Sequence, residues 1–187
     1  EPIPNDPSPF HEGEQEMQRR VGRRDRVEVM GRHMIRPYMP DQHRAFYAQL
    51  PFLVAGAVDA EGWPWASLLC GAPGFASSPD ERHLHITLQD AAPDPLRAAL
   101  DTGTTLGLLG IELHSRRRNR VNGRVAQMDA SSLTLRVDQS FGNCPQYIRE
   151  HSLRPVRSTT LPPAPPPQMF EHLSPQHAAL IARCISL

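Results

Sequence analysis

Lysine is absent from this 187-residue sequence: all 20 of its basic residues are arginine. Within these residues that excludes chemistry needing a lysine amine, such as a Schiff base to pyridoxal phosphate, a P-loop or a Ser-x-x-Lys hydrolase. Codon bias accounts for the gap most simply, but any bound phosphate must then rest on guanidinium, hydroxyl or backbone N–H groups. An excess of charge of one sign is also lacking. The 20 arginines meet 20 Asp and Glu, so no global field draws nucleic acid or an anionic membrane surface. Cysteine is scarce: Cys70, Cys144 and Cys184 form no Cys-x-x-Cys pair, which argues against a disulfide framework or a zinc knuckle and for a reducing compartment. No apolar run approaches the ~20 residues that span a bilayer, and the polar start lacks a signal peptide's apolar core. A cytoplasmic protein without membrane or nucleic-acid partners is predicted. Gly-x-Ser-x-Gly and Gly-x-Gly-x-x-Gly are missing too, which leaves a hydrolase elbow and a Rossmann dinucleotide site unsupported.

Proline is abundant, and its placement divides the chain. Of the 20, four lie at positions 2 to 9 and seven between 155 and 175, leaving nine in the 145 positions from 10 to 154. That is about 6 %, ordinary for a globular domain. The reading is an extended lead-in over 1–11, one domain over 12–154, a polyproline-type linker over 155–168 and an amphipathic helix over 169–187. Residues 173–187 (LSPQHAALIARCISL) laid over 39–53 (MPDQHRAFYAQLPFL) repeat five of fifteen residues at an offset of 134, the start of a candidate second repeat.

Inside the domain, residues 12–26 suit a helix whose only apolar stripe is Met17 and Val21, so it must lie against something. Pro40, Asp41 and Gln42 open a second helix carrying Phe46, Leu50 and Leu53 at helical spacing. The period then shifts. Residues 52–58 (FLVAGAV) and 63–70 (WPWASLLC) flank the turn Asp59-Ala60-Glu61-Gly62 as a hairpin, and 83–88, 104–111, 118–128 and 133–138 read as further strands, with a short helix at 94–101. A last helical turn is predicted over 143–150, with Asn143 as its cap. Six short strands with brief helices predict a mainly β, small, closed or partly open barrel.

Four groups of residues carry candidate chemistry. In Arg116-Arg117-Arg118-Asn119-Arg120-Val121-Asn122-Gly123-Arg124, strand alternation turns Arg118, Arg120, Asn122 and Arg124 to one face and Val121 and Val125 to the other. With the valines inside, the outer row can grip a phosphate through paired N–H donors; a solvated basic strand or a nucleic-acid patch is the competing reading. Trp63-Pro64-Trp65-Ala66-Ser67-Leu68 offers aromatics and a hydroxyl to a flat ligand, unless the tryptophans serve the core or an interface. His83 and His85 share a face but lack a third ligand, which favours a structural role. Cys144, followed by Pro145, has no histidine partner in sequence, so a catalytic thiol is not expected.

The ordered series His11-x-Gly13-Glu14-x-x-Met17-Gln18-x-Arg20-x-Gly22, Val58-Asp59, Trp65-Ala66-Ser67, Gly71-x-Pro73-Gly74-Phe75, Asp94-Pro95-Leu96, Arg116-Arg117-Arg118-x-Arg120-Val121-Asn122-Gly123 and Asn143-Cys144-Pro145-x-Tyr147-Ile148 resembles the pyridoxamine 5′-phosphate oxidase-related family of FMN-binding split-barrel proteins. The resemblance implies a six-stranded split barrel that forms a homodimer with FMN at the subunit interface and acts on a small-molecule substrate. It also implies that Trp65, Ala66, Ser67 and Leu68 line the flavin and that Thr87 lies near its phosphate. Arg116, Arg117, Arg118, Arg120 and Asn122 would supply phosphate and ribityl contacts. Gln146 stands where relatives carry Lys, and the late substrate-phosphate residues of true pyridoxamine phosphate oxidases have no counterpart in the Pro-rich tail. FMN-dependent oxidoreduction of an unnamed substrate is therefore the expectation, the alternative being a non-catalytic flavin- or haem-binding module of a larger redox assembly.

Overall fold

The structure, a computed structural model, describes residues 7–88, 94–143, 148–153, 168 and 170–184. Seven strands form one antiparallel sheet in the order β2-β1-β5-β6-β7-β4-β3: β1 (Phe52–Val58), β2 (Pro64–Cys70), β3 (Ala76–Asp80), β4 (His83–Thr87), β5 (Thr105–Glu112), β6 (Arg117–Met128) and β7 (Ser132–Asn143). The molecule is a mainly β split barrel, as predicted, with one strand more than the six expected. The addition is β3, Ala-Ser-Ser-Pro-Asp, whose polar composition and Pro79 read as a loop. It pairs only with β4, with an irregular register between Ser77 and Asp80. An edge strand tolerates a proline because one side of it needs no N–H.

The inner face of the sheet holds the core, which includes Leu53, Ala55, Leu84, Ile86, Leu106, Leu108, Val121, Val125, Leu133 and Leu135. β6 and β7, twelve residues each, pair along most of their length, with register shifts at Asn122/Gly123 and Val125/Gln127. Such bulges tighten the twist and let the sheet curl round its core. Gly123 sits at the first shift, where a Cβ would collide with the Arg136 carbonyl of the neighbouring strand. Gly123→Ala is expected to lower stability by about 1–3 kcal/mol, the usual scale of overpacking, seen as a drop in the thermal midpoint.

Helices close the barrel. α3 (Asp41–Ala48) buries His43, Phe46 and Tyr47, and α4 (Pro95–Ala99), capped by the Asp94 side chain, packs on β1 and β2. The helix predicted over 12–26 is broken in two, α1 (Glu12–Arg20) and α2 (Arg24–Met34). Gly22, at φ 66°, takes the left-handed conformation that ends α1. His11 caps α1 reciprocally with Glu14, and no residue of α1 is buried.

The described part of the lead-in is tied down: the Ser8 hydroxyl donates to Glu28 and the Phe10 ring covers Gly31. The last-turn prediction is corrected at Asn143, which ends β7 because that strand runs five residues past the expected end at 138. Residues 144–147 and almost all of the predicted linker lie outside the described residues. α5 (Pro175–Arg183) follows, capped by Ser174 and with no buried residue.

Candidate functional site

Strand pairing writes the outer face of the sheet as rows. One row runs Ala66, Gly56, Gly107, Asn122, Gln139 across β2, β1, β5, β6 and β7, and the next runs Leu68, Val54, Leu109, Arg120, Phe141. The first row carries nothing larger than a methyl group on three adjacent strands. At the ~4.8 Å strand spacing this makes a flat floor about 10 Å across. A Cβ on Gly56 would meet only ordinary contact with the Trp65 carbonyl oxygen, at 3.7 Å, so packing within the chain does not demand this glycine. At one end of the floor, Gly56 and Gly107 line a groove of about 750 Å³ that also takes in Val58, Pro64 and Thr105 and, from the inner side of the sheet, Ala57, Trp65 and Ala99. Leu68, apolar and 62 % exposed, stands beside it.

The cationic side of the floor is β6. Arg118 is half-buried, Arg120 and Arg124 are exposed, and Asn119, Val121 and Val125 are buried on the other face, as alternation predicted. Arg124 is engaged by the Thr105 hydroxyl, at 3.3 Å, and by Asp138. Asn122 is held in place: its Nδ2 donates to Gln139 Oε1 at 3.2 Å, and Gln139 Nε2 donates to the Pro9 carbonyl at 3.4 Å. The N-terminal segment is thereby moored beside the row.

The predicted site residues separate by face. Ala66, Leu68, Arg118, Arg120 and Asn122 share the outer one. Trp65 packs against the core, its Nε1–H donating to Asp59 Oδ2 at 2.7 Å, and that hydrogen bond is the main reason the Asp59 carboxyl titrates below its ordinary range. Ser67 lies on the same inner face and donates to Asp94 Oδ1 at 2.6 Å. Arg117 also turns inward, its guanidinium 5.0 Å from the centre of the Phe46 ring. Arg116 occupies the β5–β6 turn at φ 59°. Thr87 ends β4 opposite Ser132, across β7 from β6 and near the opposite end of β7 from Phe141, the neighbour of Arg120. Gly56 and Gly107 were not among the predicted residues. Their signal was a glycine inside each of two apolar strands, which marks close approach of another group.

Beneath α3 lies a second polar group of residues. His43 Nδ1 and Ser140 Oγ are 2.9 Å apart and hydrogen-bonded, both buried. Burial foremost, then the charges of Arg36 and Arg117, hold the His43 imidazole below its ordinary pKa. The unfolded chain therefore takes up a proton near the ordinary His value of about 6.5 while the folded protein does not, so stability is full above that pH and falls as acid is added. The thermal midpoint is expected to drop between pH 7 and 5.5, and His43→Gln to flatten that slope. Among the described residues no group of His, Cys, Asp or Glu could hold a metal, which leaves His83 and His85 without a third ligand.

A sequence model of a known family, pyridoxamine 5′-phosphate oxidase, matches residues 39–171, well over half of the chain. The chain belongs to the pyridoxamine 5′-phosphate oxidase family. Two solved structures of similar fold are a candidate pyridoxamine 5′-phosphate oxidase from Lactobacillus delbrueckii and HupZ from Group A Streptococcus. The first is 14 % identical and has a TM-score of 0.45, over 57 % of this chain and 95 % of its own. For HupZ the values are 12 % and 0.43, over 56 % of this chain and 93 % of its own. No curated protein sequence matches the chain. The family match begins at Met39, so α1 and α2 lie outside it and the whole sheet lies inside it. No helix among the described residues is long and apolar enough to cross a membrane.

Proposed function

We propose that this member of the pyridoxamine 5′-phosphate oxidase family is an FMN-binding flavoprotein, a cytoplasmic homodimer with flavin at the subunit interface that oxidises or reduces a small molecule. The observation that carries the reading is the glycine-floored row on the outer face. Gly56 leaves open a seat that the fold does not need, beside a row of arginines. A planar ring fits such a floor, with Leu68, Val54 and Leu109 as an apolar rim. Arg118 and Arg120 would hold the phosphate, which in a chain without lysine falls to guanidinium donors. Asn122, its amide fixed by Gln139, would meet ribityl hydroxyls.

When bound, the flavin supplies hydride or electron transfer at its ring, and the protein's part is to position that ring and exclude competing reactions. The exposed Leu68 and Val58, 62 % and 56 % accessible on this same face, support its being covered by a second subunit. The free thiols Cys70 and Cys184 accord with a reducing compartment.

The deciding experiment is addition of FMN to purified protein. Yellow colour is expected to survive desalting, and a hundredfold excess over Kd should stabilise the fold by about 2.7 kcal/mol, seen as a raised Tm. A colourless protein whose Tm is unmoved by saturating FMN overturns the reading. Turnover with NAD(P)H and oxygen then separates an enzyme from a flavin carrier.

A further inference from the structure

The sheet parts between β1 and β5. β1 runs to Val58 and β5 starts at Thr105, yet their ladder extends only from Leu53 opposite Gly110 to Gly56 opposite Gly107. β2 meanwhile stays with β1 as far as Val58, and β6 stays with β5 as far as Thr105. The gap left between the two strands is the mouth of the groove of about 750 Å³. It joins the outer floor to the inner side of the sheet, where Ala57, Trp65 and Ala99 wall it.

Charge along this groove is of one sign. Among the described residues, Asp59 and Asp101 are the ionisable groups that line it, and none of the chain's arginines does. Arg124 reaches the edge at the Thr105 hydroxyl but is paired with Asp138. Asp59 is engaged by the Trp63 N–H and the Trp65 Nε1–H, both at 2.7 Å. Asp101 is exposed, and its Oδ1 accepts the Thr102 N–H at 2.6 Å, which leaves Oδ2 for another donor. A cavity beyond Trp65, about 350 Å³ between Trp63, Pro64 and the segment from Phe170 to Leu173, adds the carboxylate of Glu171, the imidazole of His172 and again no arginine. An anion entering the groove would meet carboxylates with no cation to offset them. An ammonium would be paired, and a hydrocarbon body attached to it would cover alanine methyls and an indole ring, whose face also attracts cations.

We propose that the split between β1 and β5 is a binding site for a small organic cation with an apolar or aromatic body, its ammonium group donating to Asp101 and its body lying against Ala57, Trp65 and Ala99. The site does not rest on the flavin reading. With flavin on the floor, the cation would lie on the side away from Arg118 and Arg120, because Thr105 pairs with Arg124 at the other end of that row.

Trp63 and Trp65 are the chain's two tryptophans, so intrinsic fluorescence reports on this site directly. The probes are benzylamine, protonated at neutral pH, benzyl alcohol and benzoate, each titrated into the full chain without added FMN. Benzylamine is expected to change the emission saturably, to bind about fivefold more tightly than benzyl alcohol and to weaken as salt is raised; benzoate is expected to give no saturable change. Asp101→Asn should lower benzylamine affinity by about fivefold, the upper end for an exposed ion pair, and leave benzyl alcohol unchanged. Ala99→Leu, which fills the groove, should abolish binding of both, with the melting curve showing that the fold is kept; if that variant does not fold, Asp101→Asn decides alone. Benzoate binding as tightly as benzylamine, no saturable change with any probe, or benzylamine affinity left intact by either folded variant overturns the proposal. A protein that binds benzylamine but not FMN would lose the flavin reading and keep this one.

Discussion

Gly56→Val is expected to fold as the unaltered protein does and to emerge without flavin. The strand accepts the change: Gly56 lies mid-β1, its backbone is extended, a Cβ there makes no close contact, and valine favours strands. What changes is the floor. Two methyl groups would rise from the row Ala66, Gly56, Gly107, Asn122 where a ring must lie flat. Overpacking of about 1–3 kcal/mol corresponds to roughly a fivefold to more than a hundredfold loss of FMN affinity. Flavin fluorescence titration measures it, with the melting curve as control. Unchanged affinity would move the flavin off this row.

The second large effect separates two neighbouring arginines by the faces they occupy. Arg120→Ala is expected to weaken FMN by about 1.5–3 kcal/mol, the worth of a charge-assisted hydrogen bond, and to leave stability intact, because Arg120 is exposed with no acceptor among the described residues. Arg117→Ala is expected to do the reverse. Its guanidinium lies over Phe46 beneath α3, so its loss should lower Tm with FMN affinity nearly unchanged. The pair measured side by side tests the face assignment itself, since two arginines three residues apart on one helix would share a fate and these should not.

Much of this was legible in the sequence because strands announce themselves by alternation. Arg118, Arg120 and Asn122 could be put on one outward row from spacing alone, since Val121 and Val125 named the inner face. For 64–70 the same rule divides the strand but does not orient it: Trp65 and Leu69 on one face and Ala66 and Leu68 on the other are both apolar. Only pairing with Leu53, Ala55 and Ala57, all buried, turns Trp65 and Ser67 inward. β3 escaped because a short polar edge strand draws its order from its neighbour β4 and not from its own residues. The floor escaped because it is made of what Gly56 and Gly107 lack, and it exists only once β1, β5 and β6 are in register.

The two ends of the sheet share a device. β2 begins at Pro64 and β3 carries Pro79, so each edge strand includes a residue with no N–H to offer, and β3 is irregular as well. A neighbouring molecule that tried to lengthen the sheet strand by strand would find gaps in the ladder at both margins. The barrel is thus guarded against open-ended, fibre-like growth, and association between copies is left to the broad faces of the sheet, where contact can be closed and counted.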